Sequence, residues 1–180
     1  LLTELTALSM ENTKFVVEFT ELSVDHWSGN GIDGVRFMVA VNVGTSLDDL
    51  SKVASGGELS RFMLAIEVVL AKLKLVPTVV FDEIDSGIGG AVADTVGERL
   101  KKLGQNFQVF VVTHLPQIAS KSYSHFRVSK EVKEDKTYTK IEKLDYRARV
   151  CEIAKMMAGK NVNDETIKMA EKLVNGTVCP

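Results

Sequence analysis

The stretch TVVFDEIDSGIGGAVADTVGERLKKLGQNFQVFVVTHLP, Thr78 to Pro116, changes its hydrophobic period twice, and those changes set the fold class. Its opening TVVF is an apolar run rich in β-branched residues and too short for a helix, which predicts a buried, parallel strand. Ser86-Gly87-Ile88-Gly89-Gly90 breaks the run. From Ala91 to Leu103 the apolar residues Val92, Val96, Leu100 and Leu103 recur at helical spacing, and Gly104 stands where helices commonly end. FQVFVVTHLP, Phe107 to Pro116, reads as a second buried strand. Strand, helix and strand over this distance form a βαβ unit, whose right-handed crossover makes the strands parallel with their carboxyl ends on one edge. The expected class is α/β.

That edge collects polar residues. Asp82 and Glu83 end the first strand and His114 ends the second, in the position where open α/β sheets place ligands. On an extended chain adjacent carboxylates point to opposite sides, so one can hold a hard cation while the other acts as a base on water. The simpler alternative is that acidic residues end the strand and cap the next helix. A single histidine after a strand is commonly structural, although three polar groups at the edge of an apolar unit favour a site. A zinc site from Asp82, Glu83 and His114 is conceivable, but no His-x-x-x-His pair or cysteine ligand supports it. His125 has no evident partner.

Upstream, VASGGELSRFMLAI, Val53 to Ile66, joins a small-residue loop to a helix. Apolar residues at Leu59, Phe62, Met63, Ile66, Val69, Leu70 and Leu73 hold the i, i+3, i+4 pattern, and the helix ends before Pro77. Ser55 and Glu58 fit the capping box, with Ser55 as N-cap. Capping alone does not require Gly56 and Gly57. Removing two side chains lets an external anion approach backbone N–H groups at the positive end of the helix, so capping and phosphate binding both stand. No G-x-x-x-x-G-K-[ST] cradle is present: Gly159-Lys160 is followed by Asn161, and position 154 is Ala.

The flanking segments are simpler. Lys14–Leu22 and Gly34–Asn42 alternate in part and predict an antiparallel hairpin around SGNGIDG. Gly29, Gly31 and Gly34 spell G-x-G-x-x-G, but period-two residues Val35, Phe37, Val39 and Val41 follow where a dinucleotide site needs a helix. VGTSLDDLSK reads as a polar connector, and a second hairpin is expected at about Phe126–Ser129 and Thr137–Leu144, turning at KEDK. Helices are expected at about Arg147–Ala158 and Asp164–Val174. The 180 residues, 45% hydrophobic and 26% charged, suffice for one globular core. Twenty-two basic against 24 acidic residues give a net charge of −2, so no general basic field advertises nucleic acid or anionic membrane. Cys151 and Cys179 form no metal or disulfide pattern, which fits a reducing cytosol. No apolar run approaches the roughly 20 residues of a membrane span, and the Asn175-Gly176-Thr177 sequon reads as chance.

Three ordered stretches, ASGGELSRFMLAI (Ala54–Ile66), TVVFDEIDSGIGG (Thr78–Gly90) and VFVVTHLPQIA (Val109–Ala119), together resemble the C-terminal half of an ABC-type ATPase head. KVASGGELSR, FDEIDSGIGG and VVTHLPQIA are similar to the SMC-like branch that serves bacterial DNA double-strand-break repair, rather than to transporter ATPases, whose signature usually begins Leu-Ser-Gly-Gly-Gln. The resemblance implies a P-loop NTPase C-terminal lobe, with a parallel βαβ core, flanking β-hairpins and C-terminal helices. It implies ATP and Mg²⁺ as cofactors. Ser55, Gly56, Gly57 and Glu58 fall on the signature that contacts the γ-phosphate of ATP in the opposite subunit. Asp82 matches the carboxylate that organises Mg²⁺ through water, Glu83 the base, Asp85 the D-loop that communicates across the dimer, and His114 the switch histidine that senses the γ-phosphate.

The same resemblance implies a homodimer of ATP-bound heads, DNA ends or single-stranded regions as partners, no membrane, and a cytoplasmic, nucleoid-associated setting. Residues 1–10 would be the end of a returning coiled-coil helix and 11–180 the lobe itself. The Walker A half would be absent, so the chain alone should not hydrolyse ATP efficiently. Two alternatives stay open: a non-catalytic dimerisation module of an ABC-like protein, and a transporter ATPase lobe.

Overall fold

The computed structural model describes residues 1–52, 56–70, 77–133 and 136–176. In chain order these form α1 (Leu2–Ala7), β1 (Lys14–Glu21), β2 (Asp33–Ala40), β3 (Asp48–Asp49), α2 (Gly56–Leu70), β4 (Thr78–Phe81), α3 (Gly90–Leu103), β5 (Gln108–Val111), α4 (Pro116–Ala119), β6 (Phe126–Lys133), β7 (Lys136–Lys143), α5 (Tyr146–Ala158) and α6 (Asp164–Asn175). Ser55, Leu73, Cys179 and the middle of the KEDK turn lie outside the described residues.

The βαβ unit forms as its pattern requires. β4 and β5 pair in parallel, with Thr78 opposite Gln108 and Phe81 opposite Val111. The ladder continues at both ends, where Gln108 N–H donates to Pro77 O at 2.9 Å and Val112 N–H to Phe81 O at 3.0 Å. Phe81 turns inward against Val96, Leu100 and Leu103 of α3 and Phe62, Leu64 and Ala65 of α2. Leu5, Leu8 and Met10 join this same core, and Arg99 of α3 pairs with Glu4 of α1 at 2.7 Å. On the other face, Val80, Phe110 and Val112 remain exposed.

The first hairpin pairs Lys14 with Ala40 through Glu21 with Asp33. Gly34 thus lies within a strand, which removes the helix that the G-x-G-x-x-G reading needed. The connector is less plain than its composition suggests: Asp48–Asp49 adds a third strand against Met38 and Val39, followed by a single 3₁₀ turn at Leu50–Lys52. Gly104 closes α3 with an ordinary helical φ of −61°, so its left-handed freedom goes unused. β6 runs four residues beyond the expected Ser129, and β7 has the expected length shifted by one residue, the two pairing from Phe126–Lys143 to Lys133–Lys136.

Local capping organises the C-terminal helices, which share a second apolar cluster of Val150, Ile153, Ala154, Ala170 and Val174. Asp145 accepts from Ala148 N–H at 2.8 Å, and Asn163 and Thr166 satisfy each other's backbone N–H groups. Between them the chain reverses at Gly159, whose φ of +62° and ψ of −123° suit a residue without Cβ. Arg127 ties the hairpin to α5 through Glu142 at 2.8 Å and Glu152 at 3.3 Å. α4 packs on α3 where Gly97 gives room, since a Cβ there would stand 3.2 Å from Gln117 O. Beside it, Lys121 pairs with Glu98 and Asp94 at 2.6 and 3.0 Å. Burial opposes its charge, but the two carboxylates outweigh that and hold the ammonium above its ordinary value.

Two close approaches lead to stability predictions. A Cβ on Gly57 would meet Ser86 Cβ at 2.7 Å and the Ser86 carbonyl at 2.8 Å, whereas one on Gly56 would meet the mobile end of Glu83. Alanine gains up to about 1 kcal/mol in helix propensity, but overpacking against fixed backbone costs about 1–3 kcal/mol. Gly57→Ala should therefore destabilise the chain in thermal unfolding, while Gly56→Ala should stay within about 0.5 kcal/mol of the parent. Arg149 Nη2 donates to the carbonyls of Ser120 and Ser122 at 2.7 and 2.6 Å. Arg149→Ala removes both charge-assisted bonds, for an expected cost of about 2–3 kcal/mol and a fall in Tm of about 4–12 °C.

Candidate functional site

β4 ends at Phe81, one residue before the first carboxylate, so Asp82 and Glu83 lie in a turn. This corrects the extended-chain reasoning: strand alternation is not what separates them. Asp82 Oδ1 folds back to accept from Glu83 N–H at 3.0 Å, and its carbonyl accepts from Ser60 Oγ of α2 at 2.7 Å. Glu83 adopts a left-handed φ of +56°, uncommon for a residue with a Cβ, and its carbonyl accepts from Ser86 N–H at 3.0 Å. The turn aims the Glu83 side chain at the start of α2, where Oε2 stands 2.6 Å from the place a Gly56 Cβ would occupy. A carboxylate there is favoured by the positive end of the helix dipole. The entrance cleared by the two glycines is thus faced by this chain's own Glu83.

Asp85 is placed differently. Only 4% exposed, it accepts at Oδ2 from Thr113 Oγ1 and from His114 N–H at 2.8 Å, and the same oxygen stands 3.0 Å from His114 Nδ1. A buried carboxylate needs such donors, because desolvation otherwise opposes its charge. The His114 side chain is 77% exposed, and among the described residues its Nε2 has no hydrogen-bond partner. Asp82, Glu83, Asp85, Val112, Thr113 and His114 line an open recess of about 240 Å³. The structure therefore brings together the four acidic and imidazole groups singled out in the sequence, next to Gly56. Ser55 lies outside the described residues.

The zinc alternative does not form. Glu83 turns toward Gly56 and His114 Nδ1 toward Asp85, and among the described residues no three His, Cys, Asp or Glu side chains are arranged to hold a metal. His125 stands in the second hairpin region, away from the recess; burial first, and then the Arg149 guanidinium, hold it below its ordinary value.

Three contributors were missed by sequence reasoning. Thr113 supplies a hydroxyl to Asp85 and accepts from Leu115 N–H at 3.1 Å. Ser60 anchors the Asp82 carbonyl. Arg61, 8% exposed, donates from Nη1 to Ser86 O at 2.8 Å and so clamps the turn onto α2; burial pulls its guanidinium below the ordinary value, while Glu58 opposes that. The apolar stripe through Leu59, Phe62 and Ile66 does not include position 61, so the burial of this cation and its need for an acceptor emerge only in the fold.

No family model matches the chain. It is 42% identical over 177 residues to the DNA repair protein RecN of Rickettsia prowazekii, covering 98% of this chain and 32% of that protein. The RecN proteins of Vibrio cholerae and Xylella fastidiosa strain Temecula1 are 43% and 49% identical over 93% and 81% of the chain, which covers 30% and 26% of their lengths. Among solved structures, the Smc head domain with a coiled coil and joint from Pyrococcus yayanosii superposes with a TM-score of 0.57 at 16% identity, over 89% of this chain and 28% of that one. The Smc head of Pyrococcus furiosus gives 0.51 at 18% identity, over 84% and 36%. No described helix is long and apolar enough to cross a membrane. The chain spans 26–32% of the length of these curated relatives; it belongs to the RecN family, corresponding to their C-terminal portion, and has the fold of part of an Smc head domain.

Proposed function

We propose that this segment is the C-terminal lobe of an ATP-hydrolysing head that works in bacterial DNA double-strand-break repair and recombination. The observation that carries this reading is the recess at the β4–β5 edge, where Asp82, Glu83, Asp85 and His114 meet beside the start of α2. The RecN relatives are named as DNA repair proteins of bacteria, which supports this reading; the setting it assigns is the bacterial cytoplasm. In this reading ATP is sandwiched between two heads of a homodimer, and DNA is a partner of the whole protein. The exposed apolar face of Val80, Phe110 and Val112 supports a covering lobe, the P-loop half of the head.

The residues present suit the implied cofactors. Asp82 is exposed at the recess, with only Oδ1 engaged by a backbone N–H, which fits a Mg²⁺ ion held through water and shared with phosphate oxygens. That ion, when bound, neutralises charge on the transferring phosphoryl group. Glu83 takes the proton from a water as its oxygen bonds to the γ-phosphorus and the bond to the ADP oxygen breaks. For this, Glu83 leaves Gly56, a swing that its flexible side chain permits. His114 presents Nε2 to a γ-phosphate oxygen. Ser55 and, at the start of α2, Gly56, Gly57 and Glu58 are the residues that would meet the γ-phosphate held by the opposite head, and the Asp85–Gly89 loop would communicate across the dimer.

A second reading, a non-catalytic dimerisation module, draws on the contact of Glu83 with its own α2. Glu83→Gln in the complete protein separates the two. Turnover should fall about 10²–10⁴-fold while ATP-dependent head dimerisation, followed by sedimentation, persists. Unchanged hydrolysis would overturn the base assignment, and a parent protein that dimerises without hydrolysing ATP would support the module.

A further inference from the structure

One buried group does more than its neighbours require. Asp85 lies at the back of the recess with a nearly inaccessible carboxylate, whose Oδ2 accepts from the Thr113 hydroxyl and the His114 main-chain N–H and stands 3.0 Å from Nδ1 of the His114 ring. That ring is otherwise mostly in solvent and has, among the described residues, no hydrogen-bond partner. A solvated imidazole is free to rotate and to place its proton on either nitrogen. One held at Nδ1 by a carboxylate is not, because a carboxylate only accepts and so keeps the proton on the nitrogen facing it.

We propose that Asp85 is a positioning residue for His114, holding its ring with the proton on Nδ1 so that Nε2 is the atom offered to the recess. The role given to this offered nitrogen rests on the nucleotide reading above. No covalent bond is made or broken by Asp85. The same Oδ2 also fixes the main chain at His114, so the loop after β4 and the imidazole move as one unit. A displacement of the Asp85–Gly89 loop is thereby delivered to His114 directly.

Asp85→Ala is the informative substitution, because it removes Oδ2 itself and frees the ring proton to sit on either nitrogen, whereas an asparagine would turn its amide oxygen to the Thr113 hydroxyl and the His114 main-chain N–H and so keep an acceptor on Nδ1. The chain, labelled with ¹⁵N-histidine, is observed at about pH 8, above the ordinary imidazole value of about 6.5. Loss of one ring signal in His114→Gln supplies the assignment. The parent should show a protonated Nδ1 at His114, and Asp85→Ala a ring whose proton is shared with Nε2 or moved to it. An unprotonated Nδ1 in the parent overturns the proposal, and that measurement stands even if the variant does not fold. In the complete protein Asp85→Ala should lower kcat for ATP hydrolysis roughly 10²-fold with KM changed by less than about threefold, and Asp85→Asn, which keeps the acceptor, should stay nearer the parent. Unchanged kcat in a protein whose ring proton has moved would overturn the positioning role. If the parent protein hydrolyses no ATP, the nucleotide reading fails, while the ring spectra still decide whether Asp85 holds His114.

Discussion

The four-residue parallel pairing of β4 with β5 is the constraint on which the rest of the molecule depends. Two short parallel strands are weak by themselves, since their bonds are slanted and an isolated pair lacks a sheet to shield it. Three things compensate. α3 covers one face through Val96, Leu100 and Leu103, α2 adds Phe62 and Leu64, and Asp85 latches the carboxyl ends of the two strands together. The latch is polar because it lies at the rim, where Thr113 and His114 leave the apolar layer. The recess therefore follows from how the strand pair is closed.

Much of this was legible in the sequence, wherever one period persisted long enough to identify an element. The alternation from Val35 to Val41 excluded a dinucleotide site, and β2 occupies that stretch. The βαβ unit and the terminal helices, capped at Asp145 and Asn163, followed from equally local signals. The co-location of Asp82, Glu83 and His114 followed from crossover handedness, which is a rule about whole units.

What escaped was set by tertiary contact. β3 is two residues long and exists because β2 offers an edge. α4 is four residues, below any period, although Pro116 at its first position was a visible start signal. The separation of Asp82 from Glu83 was expected for the wrong reason, because a left-handed residue after a strand leaves no mark in a sequence of ordinary side chains. Thr113 and Arg61 gain their importance from Asp85 and Ser86, residues 28 and 25 positions away. Position-by-position reading assigns such partners no role.

The left-handed backbone at Glu83 has a consequence for how this position responds to selection. A residue with a Cβ held at such a φ costs roughly 1–2 kcal/mol, which glycine would recover and asparagine would lessen. A directed-evolution campaign scored only on thermal tolerance would thus drift toward Gly or Asn at position 83, discarding the carboxylate while improving the fold. Conversely, a lineage that keeps glutamate here carries a standing conformational load at this turn, offset by the rest of the fold. Position 83 is where robustness and chemistry pull the same residue in opposite directions.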